Sequence, residues 1–388
     1  MTDAPKSERR PQPPFPASLL RDKRVVVCCG AGGVGKTTTA AALGLAAAGA
    51  GRRVLVLTID PARGLAEAMG IPASGPDPAR VPAAKLAEGN ITGTLDAWML
   101  DPKVVFENMV RRLADSPERA ESIMANRIFR TLSSLVSGMQ EYTAAEALYS
   151  FVESGAYDLV VLDTPPSRNA LEFLEAPRKL SLFLDEKIIG VFLPSGSGGG
   201  GLFWRNARQL ASSVLGRVFG EGFFEEIQGF LGAFSGMFSA MRAHSEAVRT
   251  LLQGDQASFV VVTSPDRSAM TESLYLDEKL REMKLPFAGY VLNRSWAYTR
   301  GLKHPREVEG SVTPGSPEHV VLEKLASLAD DELRLAARDR KLLAELEKRA
   351  GSAVATPQLD SAIEDFAGLL YLAESLSAPS PAEDPART

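Results

Sequence analysis

The chain has 388 residues, of which 45% are hydrophobic, and 43 Lys and Arg against 48 Asp and Glu leave a net charge of −5. That length holds one large α/β unit with an insertion or two average domains, and an acidic balance without a basic block argues against nucleic acid as a partner. No run of about 18 apolar residues is present, so no segment is expected to span a membrane.

Residues 1–16 are polar and Pro-rich and lack the apolar centre of a secretory signal. Residues 1–20 and 377–388 read as disordered ends. The first apolar run, residues 24–28, leads into a glycine turn and then an Ala-rich helical stretch at residues 40–48. Between them Gly30-x-x-x-x-Gly35-Lys36-Thr37 satisfies the P-loop pattern in full. Gly30, Gly32, Gly33, Val34, Gly35, Lys36, Thr37 and Thr38 are therefore the candidate phosphate contacts. The glycines let backbone N–H groups face an anion, and the helix N-terminus adds its dipole. Lys36 would reach the β- and γ-phosphates, and the Thr37 hydroxyl would ligate Mg²⁺. A turn that merely joins strand to helix leaves Lys-Thr at those two positions unexplained. The two cysteines, Cys28 and Cys29, are neighbours on the predicted strand and point to opposite faces. They neither pair nor form a metal cluster, and they suit a reducing, cytoplasmic setting.

Residues 53–58 form a second buried strand ending at Asp60-Pro61, where ligands bind in open parallel sheets. Residues 95–100 read as a third strand, stopped by Asp101-Pro102, and residues 104–154 as mainly helical. Leu159 to Leu162 followed by Asp163 looks like a Walker B strand, whose carboxylate would hold the Mg²⁺ shell through water. Residues 177–249 are rich in Phe, Met and Gly at helical spacing, behind the Ser/Gly run of residues 195–201. Ordinary core, a dimer contact or a groove for an apolar client all explain that stripe. Strands at 259–263 and 288–293 flank a helix at 268–283. A charged helix at 318–348, a short strand at 352–355 and an amphipathic helix at 360–376 close the chain. This alternation predicts a mostly parallel sheet with helices on both faces.

Gly30-x-Gly32-Gly33-Val34-Gly35-Lys36-Thr37, Thr58-Ile59-Asp60-Pro61-Ala62 and Asp163-Thr164-x-Pro166, in this order, resemble the ArsA ATPases. That family includes bacterial arsenite-pump ATPases and the eukaryotic ATPase that delivers tail-anchored membrane proteins. The resemblance implies an α/β P-loop NTPase of the deviant Walker A, MinD and nitrogenase-iron-protein group. It places one ATPase domain at residues 21–376, with a helical subdomain inserted at about 177–250. It also implies ATP and Mg²⁺ as ligands and a dimer closed by ATP. Asp60 matches the acidic residue that positions the attacking water, and Asp163 the second-switch residue that contacts Mg²⁺ through water. Thr37, Asp60 and Asp163 are thus the metal-site residues. Asn293 matches the residue that reads the adenine edge, and Pro357 lies in the loop that packs on the base. Glu272 resembles a conformationally coupled Glu near the dimer face.

Three departures shape the functional expectation. The second P-loop Lys, which reaches the partner's phosphates in the family, is here Ala31. The clustered cysteines of an arsenite pump are missing, and so is the zinc-clamping Cys pair near residues 303–319. Arg168 stands in the second switch, either as a substitute charge on the γ-phosphate or as a solvent-facing residue. The expected partner is a second copy or a paralogue that retains the cross-dimer Lys, with an apolar helix or membrane-associated protein as possible client. A nucleotide-gated holdase with little hydrolysis and a small-molecule kinase are the competing readings.

Overall fold

The computed structural model describes residues 15–59, 63–73, 75–126, 138–166, 237–298, 304–307, 312–359, 363 and 365–377. Asp60, Arg168, residues 177–236 of the expected insertion and most of both expected disordered ends lie outside these residues.

The sheet is built from short strands that are apolar on both faces. β1 (Val25–Gly30), β2 (Arg53–Thr58), β4 (Thr94–Met99), β5 (Leu159–Asp163), β6 (Ala257–Thr263), β7 (Phe287–Ser295) and β8 (Ala353–Pro357) run parallel. A two-residue strand, β3 (Ala79–Arg80), pairs antiparallel with β4 at one edge. The order across the eight strands is β3-β4-β2-β5-β1-β6-β7-β8. Near-continuous Val and Leu in the central strands is what burial on both faces demands.

Each face has its own core. Val26, Cys28, Val54 and Val56 pack with α1 (Ala17–Asp22), α2 (Lys36–Gly49), α3 (Arg63–Met69), α4 (Ala83–Glu88) and α11 (Phe366–Ser377). Val25, Val27, Cys29, Leu55 and Leu57 pack with α5 (Pro102–Leu113), α7 (Gly138–Ser154), α8 (Phe238–Gln253), α9 (Arg267–Glu282) and α10 (Pro317–Ala350). The short α6 (Pro117–Ala125) follows α5. The adjacent cysteines thus enter opposite cores, as the strand period requires. Burial pushes both thiols up, Cys29 to about 12, so both stay protonated.

Some boundaries were legible and some were not. Asp101-Pro102 does more than stop a strand: the Asp101 carboxylate caps α5, accepting from the Lys103 N–H at 2.9 Å, with Pro102 at the first helical position. Ser316-Pro317 repeats this device at the start of α10, which ends at Gly351 with φ of 79°. α1 begins inside the stretch read as a lead-in, and its Leu19 and Leu20 are buried against α2. α3, β3 and α4 were not anticipated, because each is too short to show a period. No described helix is long and apolar enough to cross a membrane.

Beyond the two cores, a buried carboxylate ties the second face together. Asp277 of α9 accepts from Arg281 on its own helix and from Arg349 Nε of α10 at 2.6 Å. Burial pushes its carboxyl up, but the hydrogen bonds from Arg349 and Arg281 outweigh this and hold its pKa below the ordinary value. A depressed folded-state pKa stabilises the fold above the unfolded value of about 3.9 and stops doing so as pH falls through the folded-state value. Asp277→Asn should therefore cost about 2 kcal/mol at neutral pH, and the deficit should shrink on acidification. Urea midpoints of the two proteins at neutral pH and near pH 3 check this, and a deficit independent of pH contradicts it.

Candidate active site

β1 delivers the phosphate-loop sequence to the middle of the sheet's C-terminal edge. The chain leaves the strand at Gly30, where an added Cβ would lie 2.2 Å from the Val262 carbonyl oxygen of β6. Only glycine fits that approach. Gly33 (φ 74°) and Gly35 (φ 87°) take the left-handed conformations that turn the loop back into α2. Gly32 faces Pro166 of the second switch, whose ring atoms would lie 4.0 Å from an added Cβ. Gly30 to Lys36 thus form a tight loop at the N-terminus of α2, the geometry in which backbone N–H groups and helix dipole favour an anion.

Lys36 is nearly buried, and its ammonium donates to the Ala31 carbonyl oxygen at 2.8 Å. The Lys is thereby laid along its own loop. Ala31, only 4% exposed, belongs to the apolar cluster of the first face. The next residue carries the link to the second switch. Thr37 Oγ1 donates to Asp163 Oδ2 at 2.6 Å, and Asp163 is buried. Asp163 reaches that position through strand register: it lies opposite Cys28 of β1 and opposite Thr58 of β2. Thr164 then fixes the exit of β5, its N–H and its hydroxyl both donating to the Cys28 carbonyl, at 3.2 and 2.8 Å. A hydroxyl and a carboxylate meeting at the edge of a phosphate loop are hard oxygen donors of the kind Mg²⁺ takes alongside phosphate and water. No cluster of three or more His, Cys, Asp or Glu suited to a metal occurs among the described residues.

Asn293 joins the loop from the other side. Its side-chain N–H donates to the Val34 carbonyl at 2.8 Å, and its side-chain oxygen accepts from Thr356 Oγ1 at 2.6 Å. Both ends of the amide are engaged, so Asn293 braces the phosphate loop against β8. Pro357 follows Thr356 and pairs in register with Ser295 at the end of β7, where Gln358 N–H donates to the Ser295 carbonyl at 3.1 Å. The structure therefore gathers Gly30 to Thr38, Asp163, Asn293 and Pro357 along one edge. The brace by Thr356, the clamp by Thr164 and the close approach of the Val262 carbonyl were not read from sequence, although Thr164 and Thr356 lie in recognised motifs, because these roles rest on register across strands far apart in the chain.

Comparison with known proteins places the chain in a family. The ArsA-type anion-transporting ATPase family model matches residues 23–300. A Mycobacterium tuberculosis protein named Protein Rv2184c is 32% identical over 167 residues, covering 42% of this chain and 39% of that protein. ATPase GET3 of Malassezia globosa is 29% identical over 194 residues, covering 50% of this chain and 53% of that protein. A putative arsenical pump-driving ATPase of Aquifex aeolicus is 22% identical over 259 residues, covering 64% and 58% respectively. The chain spans about half the length or less of the first two of these relatives. It belongs to the ArsA family of ATPases, P-loop proteins built on this mostly parallel α/β sheet.

The loop's dependence on Gly35 is directly testable. An Ala side chain there would meet a positive φ and sit 2.3 Å from Asn293 Nδ2. Gly155→Ala meets a similar positive φ (65°) in open space and serves as control. Equilibrium binding of a fluorescent ATP analogue should weaken at least about 10-fold in Gly35→Ala and stay unchanged in Gly155→Ala. Equal affinities in the two variants would contradict the brace.

Proposed function

We propose that the chain is a Mg²⁺-dependent ATPase in which ATP hydrolysis drives a conformational switch between two subunits. The observation that carries this reading is the Thr37–Asp163 hydrogen bond, which joins the phosphate loop to the second switch. The loop N–H groups and the α2 dipole would hold the β-phosphate, and Lys36 would exchange its hold on Ala31 for the β- and γ-oxygens. Thr37 would ligate Mg²⁺ directly, and Asp163 would orient the ion's water shell. Bound there, Mg²⁺ supplies charge neutralisation across the β- and γ-phosphates. Asp60 would hold the attacking water, and Asn293 with Pro357 would face the base. Release of phosphate would remove what holds the two switches together.

Because Ala31 brings no charge, the cationic group on the γ-phosphate has to come from elsewhere. Arg168 of the same chain or a Lys from a paralogous subunit would supply it, as a guanidinium or ammonium against developing negative charge. The GET3 and arsenical pump relatives suggest two classes of cargo. A thiolate site for arsenite finds no support here, since the chain's two cysteines are buried, protonated and on opposite faces of β1. An apolar helix as client suits the Phe- and Met-rich stretch at residues 177–249.

Steady-state ATP hydrolysis tests the proposal, with Lys36→Ala as control and with apolar helical peptides or arsenite added. Turnover that needs Mg²⁺, falls at least about 100-fold in Lys36→Ala and rises with the peptides supports it. Turnover no higher than the control, or stimulation by arsenite, overturns it. In the same assay Arg168→Ala should lose roughly 10³-fold, and a loss under about 3-fold assigns the missing charge to a partner subunit.

A further inference from the structure

Among the described residues, three other than glycine take the left-handed backbone conformation: Asn90 (φ 52°), Lys284 (φ 57°) and Arg294 (φ 56°). Two of them close helices. Asn90 follows the end of α4 and Lys284 the end of α9, and their N–H groups donate back to the Ala87 and Arg281 carbonyls. Arg294 lies inside β7, where no helix has to be closed. Glycine would hold that conformation without steric strain, so an arginine there is kept at the expense of stability.

The local cause is a bulge. Leu292 lies opposite Ala355 of β8 but Ser295 lies opposite Pro357, so three steps along β7 match two along β8. In a regular strand residues 293 and 295 would share a face. The extra residue sends them to opposite faces. Asn293 donates to the Val34 carbonyl in the loop that opens α2, and Ser295 Oγ donates to Asp339 Oδ2 of α10 at 3.2 Å. Arg294 is extruded between these two buried neighbours and is exposed. No hydrogen bond or ion pair holds its guanidinium among the described residues. It stands at the C-terminal edge of the sheet, next to Asn293 and to the Ser295–Pro357 pair, and bulges beside sites serve to re-aim a side chain.

We propose that Arg294 is a further nucleotide-binding residue, its guanidinium plane stacking on the base of the bound nucleotide beside Pro357. This rests on the nucleotide site proposed above and adds a contact to it. The metal and the outer phosphates belong to the other end of that site, at Lys36 and the Thr37–Asp163 pair. β7 is three strands from β5, about 14 Å at the usual strand spacing. On β7 itself Asn293 faces the phosphate loop and commits both ends of its amide to the brace, so it offers the base an edge and no flat surface. A guanidinium supplies that surface: it is planar, weakly hydrated and stacks on aromatic rings, whereas an ammonium acts as a point charge.

Calorimetric titration of the full chain with ATP and with inorganic tripolyphosphate, both with Mg²⁺, tests it. Arg294→Gly and Arg294→Lys should each weaken ATP binding about 10-fold, the scale of one desolvated cation–π contact, and leave tripolyphosphate binding unchanged. Arg294→Gly should also raise the thermal midpoint, because glycine relieves the left-handed backbone. Lys284→Gly, away from the site, should raise the midpoint and leave ATP affinity alone. Unchanged ATP affinity in Arg294→Gly overturns the proposal. So does full ATP affinity in Arg294→Lys, which would assign the contact to charge, or a parallel loss of tripolyphosphate, which would assign it to phosphate. A lower midpoint in Arg294→Gly would make Arg294 a structural residue and overturn it as well. In all these outcomes the unaltered chain binds ATP and Lys36→Ala binds it more weakly; an unaltered chain that binds no ATP overturns the nucleotide site itself and this contact with it.

Discussion

A hydrogen bond of 2.6 Å between Thr37 and Asp163 connects residues 126 positions apart in the chain. It exists because β1 lies between β5 and β6 and because Asp163 is in register with Cys28. A shift of one residue along β5 would turn Asp163 to the other face of the sheet. Thr164 guards against that slip by clamping the Cys28 carbonyl with both its N–H and its hydroxyl. The two halves of the site are thus held by the same strand pairing that builds the core.

The phosphate loop is fixed from three sides. Val262 of β6 leaves room only for glycine at position 30, Asn293 holds the Val34 carbonyl, and Thr356 of β8 holds Asn293. This chain of contacts runs from the last strand, β8, back to the loop that opens α2. It gives Asn293 a structural duty in addition to the base-facing role that the family resemblance implies. Ala31 contributes a backbone carbonyl to Lys36 and a methyl group to the apolar core. That position is built for packing in this chain, which places the burden of any further positive charge on another residue.

The sequence was most legible where composition and position coincide. The glycines, Lys36 and Thr37 follow a buried strand, and four apolar residues precede Asp163, so both motifs could be read locally. Cys28 and Cys29 on opposite faces followed from strand period alone. The brace on Asn293 was not legible, since neither Thr356 nor Val34 signals a partner by spacing. α1, α3 and α4 were missed because six or seven residues carry too little periodicity to register. The hydrogen bonds that Glu146 makes with Arg112 and His244 escaped notice for a related reason: they join three helices, and each residue alone looks like a solvated helix position. Asp60 and Arg168, read from sequence as switch residues, lie outside the described residues.

The central claim is that Thr37 and Asp163 act as one unit on the metal-bound nucleotide. A double-mutant cycle with Thr37→Val and Asp163→Asn, reading ATP affinity with Mg²⁺ and with a chelator, tests it most directly. The account predicts a coupling of about 1–3 kcal/mol with Mg²⁺ and near-additive effects without it. Additive losses under both conditions would contradict it.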